Sequence, residues 1–372
     1  MLYWLSEYAD SLRIFKYLTF RSAGAALTAM IIVILLGPAV VRALKKFSFV
    51  APLRLQGLVA EEELDYSKAK TPSMGGLLII FAILVSTVLW APLNNALVII
   101  FLGNMLAFCA IGFYDDYNKV LYKNRDVDGG ISAKMKLALQ FLVGALAVYF
   151  ITTIPGLGNY SQDLMLPFYK HPVIEKAPLF IMIIFSSVVV VGASNAVNLT
   201  DGLDGLATGN MLICAGTYVV FAYLSGNVIY SGYLNIPYIE GAGEVCVFGA
   251  AIMGACLGFL WHNCYPASMF MGDTGSLALG GSIGLIAVLV KQEFTLVIVG
   301  GVFVMETLSV MIQTSYFKYT KKKFGEGRRV FLMAPIHHHF QKKGWTETQV
   351  VIRFWILGVI FAGIGLATLK IR

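Results

Sequence analysis

The chain is a succession of apolar runs separated by short polar connections. The runs are Ser22–Val41, Ser73–Trp90, Asn95–Tyr114, Ala133–Ile151, Ala177–Gly192, Leu206–Leu224, Val245–Trp261, Ser276–Val290, Phe294–Tyr316 and Val351–Leu369. A helix needs about 20 predominantly apolar residues to cross the hydrocarbon core. The pattern therefore predicts an all-α, polytopic integral membrane protein with ten transmembrane helices, the eighth of them short. An even number places both termini on the same side. Residues 1–20 mix aromatic and basic residues without the order of a signal peptide, and predict an interfacial helix.

Lysine and arginine set the orientation. Arg42, Lys45, Lys46, Arg54, Lys68 and Lys70 follow the first run, and Lys119, Lys123, Arg125, Lys134 and Lys136 follow the third. Lys318, Lys321, Lys322, Lys323, Arg328, Arg329, Lys342 and Lys343 follow the ninth, whereas the opposite connections hold little beyond Lys170, Lys176 and Lys291. The positive-inside rule places the basic connections in the cytoplasm and both termini outside, in the periplasm. Composition agrees: 58% of the 372 residues are hydrophobic and 13% charged, against about a quarter charged in soluble domains. Topology accounts for most of the net charge of +7. No basic stripe with interleaved aromatics stands in a soluble segment, so nucleic acid is excluded as a partner. The five cysteines lie within or beside apolar runs without paired spacing and read as packing residues.

The polar residues that break the pattern gather in the predicted cytoplasmic connections. Asn195, Asn198, Asp201 and Asp204 recur every three residues between two spans, a costly placement unless something is bound. Asp201 can in addition cap the sixth helix. Asp115 and Asp116 close the third span, where the helix dipole disfavours acids. If that helix continues, the two point about 100° apart and face different neighbours, with Lys119 on the Asp115 face. Asp273 precedes the eighth span, as an N-cap or as a ligand. Thr71 and Pro72 suit the start of the second helix, but Lys68 beside a helix N-terminus makes better sense facing an anion. In His337-His338-His339, three consecutive residues cannot all reach one metal from a helix, and donation to phosphate or base is the better use. Carboxylates held at the membrane edge select a hard cation such as Mg2+, which binds one or two carboxylates together with substrate phosphates. Lysines and histidines around them suit phosphoryl transfer with a lipid partner.

Asp115-Asp116, the stretch Asn195–Leu206, Asn263–Ser276 and Pro335–Phe340 resemble the motifs of the polyprenyl-phosphate N-acetylhexosamine-1-phosphate transferase superfamily. Within it, Leu332–Phe340 is similar to the branch that makes lipid I for peptidoglycan. The resemblance implies a single transmembrane catalytic domain over residues 1–372, with active-site loops near 42–72, 114–134, 195–205, 262–276 and 317–350. It implies a homodimer in the bacterial inner membrane that moves phospho-MurNAc-pentapeptide from UDP-MurNAc-pentapeptide to undecaprenyl phosphate, with Mg2+. Asp273 is then the main metal ligand, with Asp115 and Asp116 beside the phosphates and His337 among the catalytic groups. Asn198, Asp201 and Asp204 meet the nucleoside and sugar, Asn195 stands with the substrate-binding residues, and Phe270 stacks on uracil. Lys68, Ser73, Lys119, Lys134, Asn263, Gln313, His338 and His339 complete the expected substrate pocket. The chain departs from the usual pattern at Lys70, Ser73 and Gln341. A transferase of UDP-GlcNAc and a transporter are the rival functions, and neither accounts as well for the histidine context and the placement of the acids.

Overall fold

A computed structural model describes residues 1–7, 10–46, 71–121, 131–158 and 162–371. Among them are thirteen α-helices and no strand, only an isolated antiparallel bridge between Leu164 and Ile174. The long helices are α1 (Leu18–Lys46), α2 (Gly76–Trp90), α3 (Ala96–Leu121), α4 (Ala133–Thr153), α5 (Leu179–Thr200) and α6 (Leu206–Ser225). After the short α7 (Val228–Leu234) come α8 (Ala242–Asn263), α9 (Gly272–Leu289), α10 (Glu293–Val299), α11 (Gly301–Phe324), α12 (Ile336–Lys342) and α13 (Glu347–Ala367). Eight helices are long and apolar enough to cross a membrane, and the bent pair α10–α11 makes nine. The chain is a multi-pass membrane protein.

α9 is the axis of the bundle, with every residue buried. Its sequence explains how it can be surrounded. Small residues let neighbouring backbones approach in a membrane, where van der Waals packing replaces the hydrophobic effect between helices. A Cβ added at Gly280 would lie 2.6 Å from the Ala193 carbonyl of α5. On the α3 side, one added at Gly112 would lie 2.3 Å from the Asp273 carbonyl. The Ser194 hydroxyl donates to the Leu277 carbonyl at 2.9 Å and pins α5 to the same helix.

Four expectations are corrected. The ninth apolar run is not one helix: α10 and α11 are bent by 86° at Gly300, a break that hydropathy does not register. α2 starts at Gly76, so Thr71 and Pro72 neither cap nor open it. Residues 72–76 are held instead against the start of α9, with Phe270 N donating to Pro72 O at 2.8 Å, Gly75 N to Phe270 O at 2.8 Å and Gly76 N to Met271 O at 2.9 Å. Asp201 ends α5, and α6 is opened by Gly205 at a left-handed φ of 81° without a side-chain cap. The N-terminal segment forms two short 3-10 helices, Leu2–Glu7 and Asp10–Lys16, in place of a single interfacial helix.

Candidate active site

α3 runs on past its apolar stretch to Leu121, so Asp115 and Asp116 stand on a helix and diverge. Asp115 faces α4. Its Oδ1 accepts from Ile131 N at 2.9 Å, and its Oδ2 lies 2.8 Å from Lys119 Nζ and 3.0 Å from Lys136 Nζ. Asp116 faces the start of α9, where it accepts from Asp273 N at 3.2 Å, Thr274 N at 2.9 Å and Thr274 Oγ1 at 2.7 Å. The first N–H groups of a helix have no partner within it, and α9 has no cap from its own N-cap residue, Met271. A carboxylate from α3 supplies that cap, with a charge that suits the positive end of the dipole.

Asp273 is not an N-cap. It sits in the first turn of α9 with its carboxylate turned back toward α3, α4 and α5. Oδ1 accepts from Asn198 Nδ2 at 2.8 Å, and Oδ2 lies 3.0 Å from Lys119 and 2.5 Å from Lys136. Asp115 and Asp273 therefore share the same two ammoniums. All three acids are buried, at 3% to 7% exposure. With Asp116 counted, three carboxylates face two lysines, which leaves the cluster one negative charge. Asn198 is fixed in turn by the Ser276 hydroxyl at 2.8 Å.

Lys136 was absent from the substrate-contacting set expected from sequence, and Lys134 stood in it. The structure brings Lys136, and not Lys134, to the acid cluster. Residues two positions apart lie about 200° apart around a helix. Lys136 falls on the buried stripe of Gln140, Gly144, Ala147 and Ile151, while Lys134 is exposed. That stripe was the available signal. Ser132 caps α4 through Met135 N and so starts the helix that carries Lys136. Thr274, Ser276 and Gln140 are further polar groups that the spacing of acids did not point to.

The remaining expected residues divide into two groups. Around the loop 201–205, Asp204 Oδ2 accepts from Ala267 N at 3.0 Å, and its N–H donates to Glu347 at 2.9 Å. Asn263 is buried and bonded to the protein: it accepts from Gly205 N at 3.2 Å and Thr208 Oγ1 at 2.9 Å, and donates to Met269 O at 3.0 Å. Phe270 keeps a half-buried ring, and Ser73 stands near Gly272. Asn195 turns to Gln140 at 2.6 Å. Lys68 lies outside the described residues.

The histidines form the second group, and each has a different partner. His337 is buried with Nδ1 3.0 Å from Glu306 of α11, and its Nε2 faces Gly202, where an added Cβ would lie 2.4 Å away. His338 contacts Gln341 at 2.8 Å. His339 accepts from Leu332 N at 3.1 Å, and desolvation, then Lys343, lowers its pKa. Gln313 holds the strap below them through Val330 N, Phe331 N and Phe331 O. None of these contacts joins a histidine directly to the acid cluster.

Among the described residues, no three His, Cys, Asp or Glu side chains stand together as a metal cage. The oxygens nevertheless suit a hard cation. Asp115 Oδ2 and Asp273 Oδ2 converge on a point already held by positive charge, and Mg2+ commonly takes one or two carboxylates and completes its shell with phosphate oxygens. Both oxygens of Asp116 are turned instead to the start of α9.

A buried acid–lysine cluster at one end of a membrane helix bundle fits a transferase of phosphorylated groups. Comparison with known proteins agrees. Residues 96–291 match the family model for glycosyl transferase family 4, and residues 68–80 match the phospho-N-acetylmuramoyl-pentapeptide-transferase signature 1. The chain is 49% identical over 373 aligned residues to the phospho-N-acetylmuramoyl-pentapeptide-transferase of Desulfotalea psychrophila (strain LSv54 / DSM 12343), covering 100% of this chain and 99% of the relative. The chain belongs to the phospho-N-acetylmuramoyl-pentapeptide-transferase family of membrane enzymes.

Proposed function

We propose that the enzyme transfers phospho-MurNAc-pentapeptide from UDP-MurNAc-pentapeptide to undecaprenyl phosphate, giving lipid I and UMP. The observation that carries this reading is the pair of carboxylates, Asp115 and Asp273, joined by Lys119 and Lys136. A lysine pair held between acids can turn to the oxygens of a pyrophosphate without crossing an uncompensated state. Asp273 and Asp115 would hold Mg2+, which when bound neutralises charge on the pyrophosphate as it develops.

A phosphate monoester has a second pKa of about 6 and is mostly a dianion at neutral pH. The lipid phosphate oxygen can therefore attack the phosphorus next to the sugar directly. One P–O bond forms there as the bond to UMP breaks, and UMP leaves with the electron pair. Asp115 positions the acceptor or takes its residual proton. A covalent aspartyl-phosphate route is less well served, since two ammoniums and an N–H already draw on the Asp115 oxygens. Asn198, Asp201, Asp204, Asn263 and Phe270 form or support the nucleoside and sugar end. The same reading takes α2 and the bent pair as spans, giving ten, with periplasmic termini and a cytoplasmic site in one catalytic domain. It places the enzyme in the inner membrane, as a homodimer.

The test is UMP release by the purified enzyme across a Mg2+ series, with Asp273→Asn beside the wild type. Loss of activity with a raised Mg2+ requirement is expected. Unchanged activity and metal response in the variant would remove Asp273 from the centre of the site. Equal turnover of UDP-GlcNAc would overturn the donor assignment.

A further inference from the structure

α1 carries Pro38 in its interior. Proline has no N–H, so the carbonyl four residues earlier, that of Ile34, receives no helical hydrogen bond from it. A carbonyl left open between packed helices in a membrane needs another donor. His262, in the last turn of α8, stands at that place with Nε2 3.2 Å from Ile34 O. A carbonyl oxygen only accepts, so Nε2 must carry the proton. The ring has room because residue 37 is glycine, where an added Cβ would lie 2.1 Å from Nε2. Gly37 provides the space, Pro38 opens the acceptor and His262 closes it.

The joint lies at the root of the candidate site. His262 O accepts both Ser268 N and Ser268 Oγ, each at 2.8 Å. The next residue, Asn263, ties the start of α6 to Met269. Phe270 follows, paired through its backbone with residues 72–75. The loop from 264 to 270 thus departs from, and returns to, a turn whose side chain is locked into α1.

We infer that His262 is a positioning residue, which holds the loop 264–270 for the nucleotide donor by closing the carbonyl that Pro38 opens in α1. The inference rests on the reading of that loop as part of the donor site. His262→Phe removes the donor atom while keeping a ring. His262→Gln restores an N–H at a similar reach. Pro38→Ala returns the backbone N–H to Ile34 and makes the histidine dispensable.

The expected results in UMP release are specific. His262→Phe raises KM for UDP-MurNAc-pentapeptide about five- to tenfold, the scale of one lost hydrogen bond, with kcat within about twofold. A purely structural lesion would instead lower the active fraction and leave KM unmoved. His262→Gln stays near the wild type, and Pro38→Ala/His262→Phe recovers most of the KM. A thermal-stability cycle over the wild type, His262→Phe, Pro38→Ala and Pro38→Ala/His262→Phe shows the two positions to be coupled. Additive effects, or a His262→Gln variant as impaired as His262→Phe, would overturn the joint. Phe270→Ala separates the two ways of failing. If it raises donor KM while His262→Phe does not, the positioning role is wrong. If it leaves donor KM unmoved, the reading of the loop is wrong, and the stability cycle alone decides the joint, with coupling keeping it and additivity overturning it.

Discussion

Asp116→Asn separates a carboxylate that builds the site from the one proposed to bind Mg2+. In the wild type its oxygens accept three hydrogen bonds at the N-terminus of α9: Asp273 N, Thr274 N and Thr274 Oγ1. An asparagine has one acceptor oxygen, and its amide N–H2 must meet one of the backbone N–H groups donor to donor. A hydrogen bond to a charged group contributes about 1.5–3 kcal/mol, and loss of a helix cap typically costs about 1 kcal/mol. Part of the interaction survives through the remaining oxygen, so a destabilisation of about 2 kcal/mol is expected, seen as a Tm lower by several degrees. Activity falls further than stability, because Asp273 sits on the first turn of the helix that loses its cap. A displacement of about 1 Å at a reacting centre can cost a hundredfold in rate. The Mg2+ concentration for half-maximal UMP release stays within about twofold of the wild type, since Asp116 holds backbone and not metal, whereas that of Asp273→Asn rises. A Mg2+ requirement raised tenfold or more in Asp116→Asn, with Tm unchanged, would refute the reasoning and return Asp116 to the metal.

Two further predictions use internal controls. Lys136→Met leaves Asp115 and Asp273 with Lys119 alone and should lower kcat for UMP release by about a hundredfold or more, the usual scale for removing one electrostatic donor; Lys134→Met, two residues away on the exposed face, should stay within about twofold. Equal effects of the two would contradict the placement of α4. Gly112→Ala pushes a methyl against the Asp273 carbonyl, which an added Cβ would approach to 2.3 Å, whereas a Cβ at Gly103 on the same helix meets nothing within 4 Å; activity should collapse in the first variant and persist in the second, and an active Gly112→Ala enzyme would mean that α3 and α9 are not in contact there.

Hydropathy carried most of the helical architecture, because crossing a bilayer demands long apolar helices whatever they pack against. Helices cover all ten apolar runs, the ninth as two bent helices. Asp115, Asp116 and Asp273 stood out for a similar reason, since an acid at a membrane edge has few inexpensive explanations. That the two adjacent acids diverge, with Lys119 on the Asp115 face, was legible from helix geometry; what each one meets across the bundle was not. Asp115 and Asp116 are adjacent in sequence, and only the rotation of α3 against α4 and α9 sends one to the lysines and the other to a helix cap. The choice of Lys136 over Lys134 depends on which face of α4 is buried. The start of α2 depends on a backbone pairing with residues some two hundred positions away, and the bend at Gly300 falls where Gly301 meets Phe361 of α13. Local sequence determines which segments are helices, because those hydrogen bonds close within the segment. Which polar groups meet is decided by packing between segments, where each satisfied donor depends on a partner that no local pattern contains.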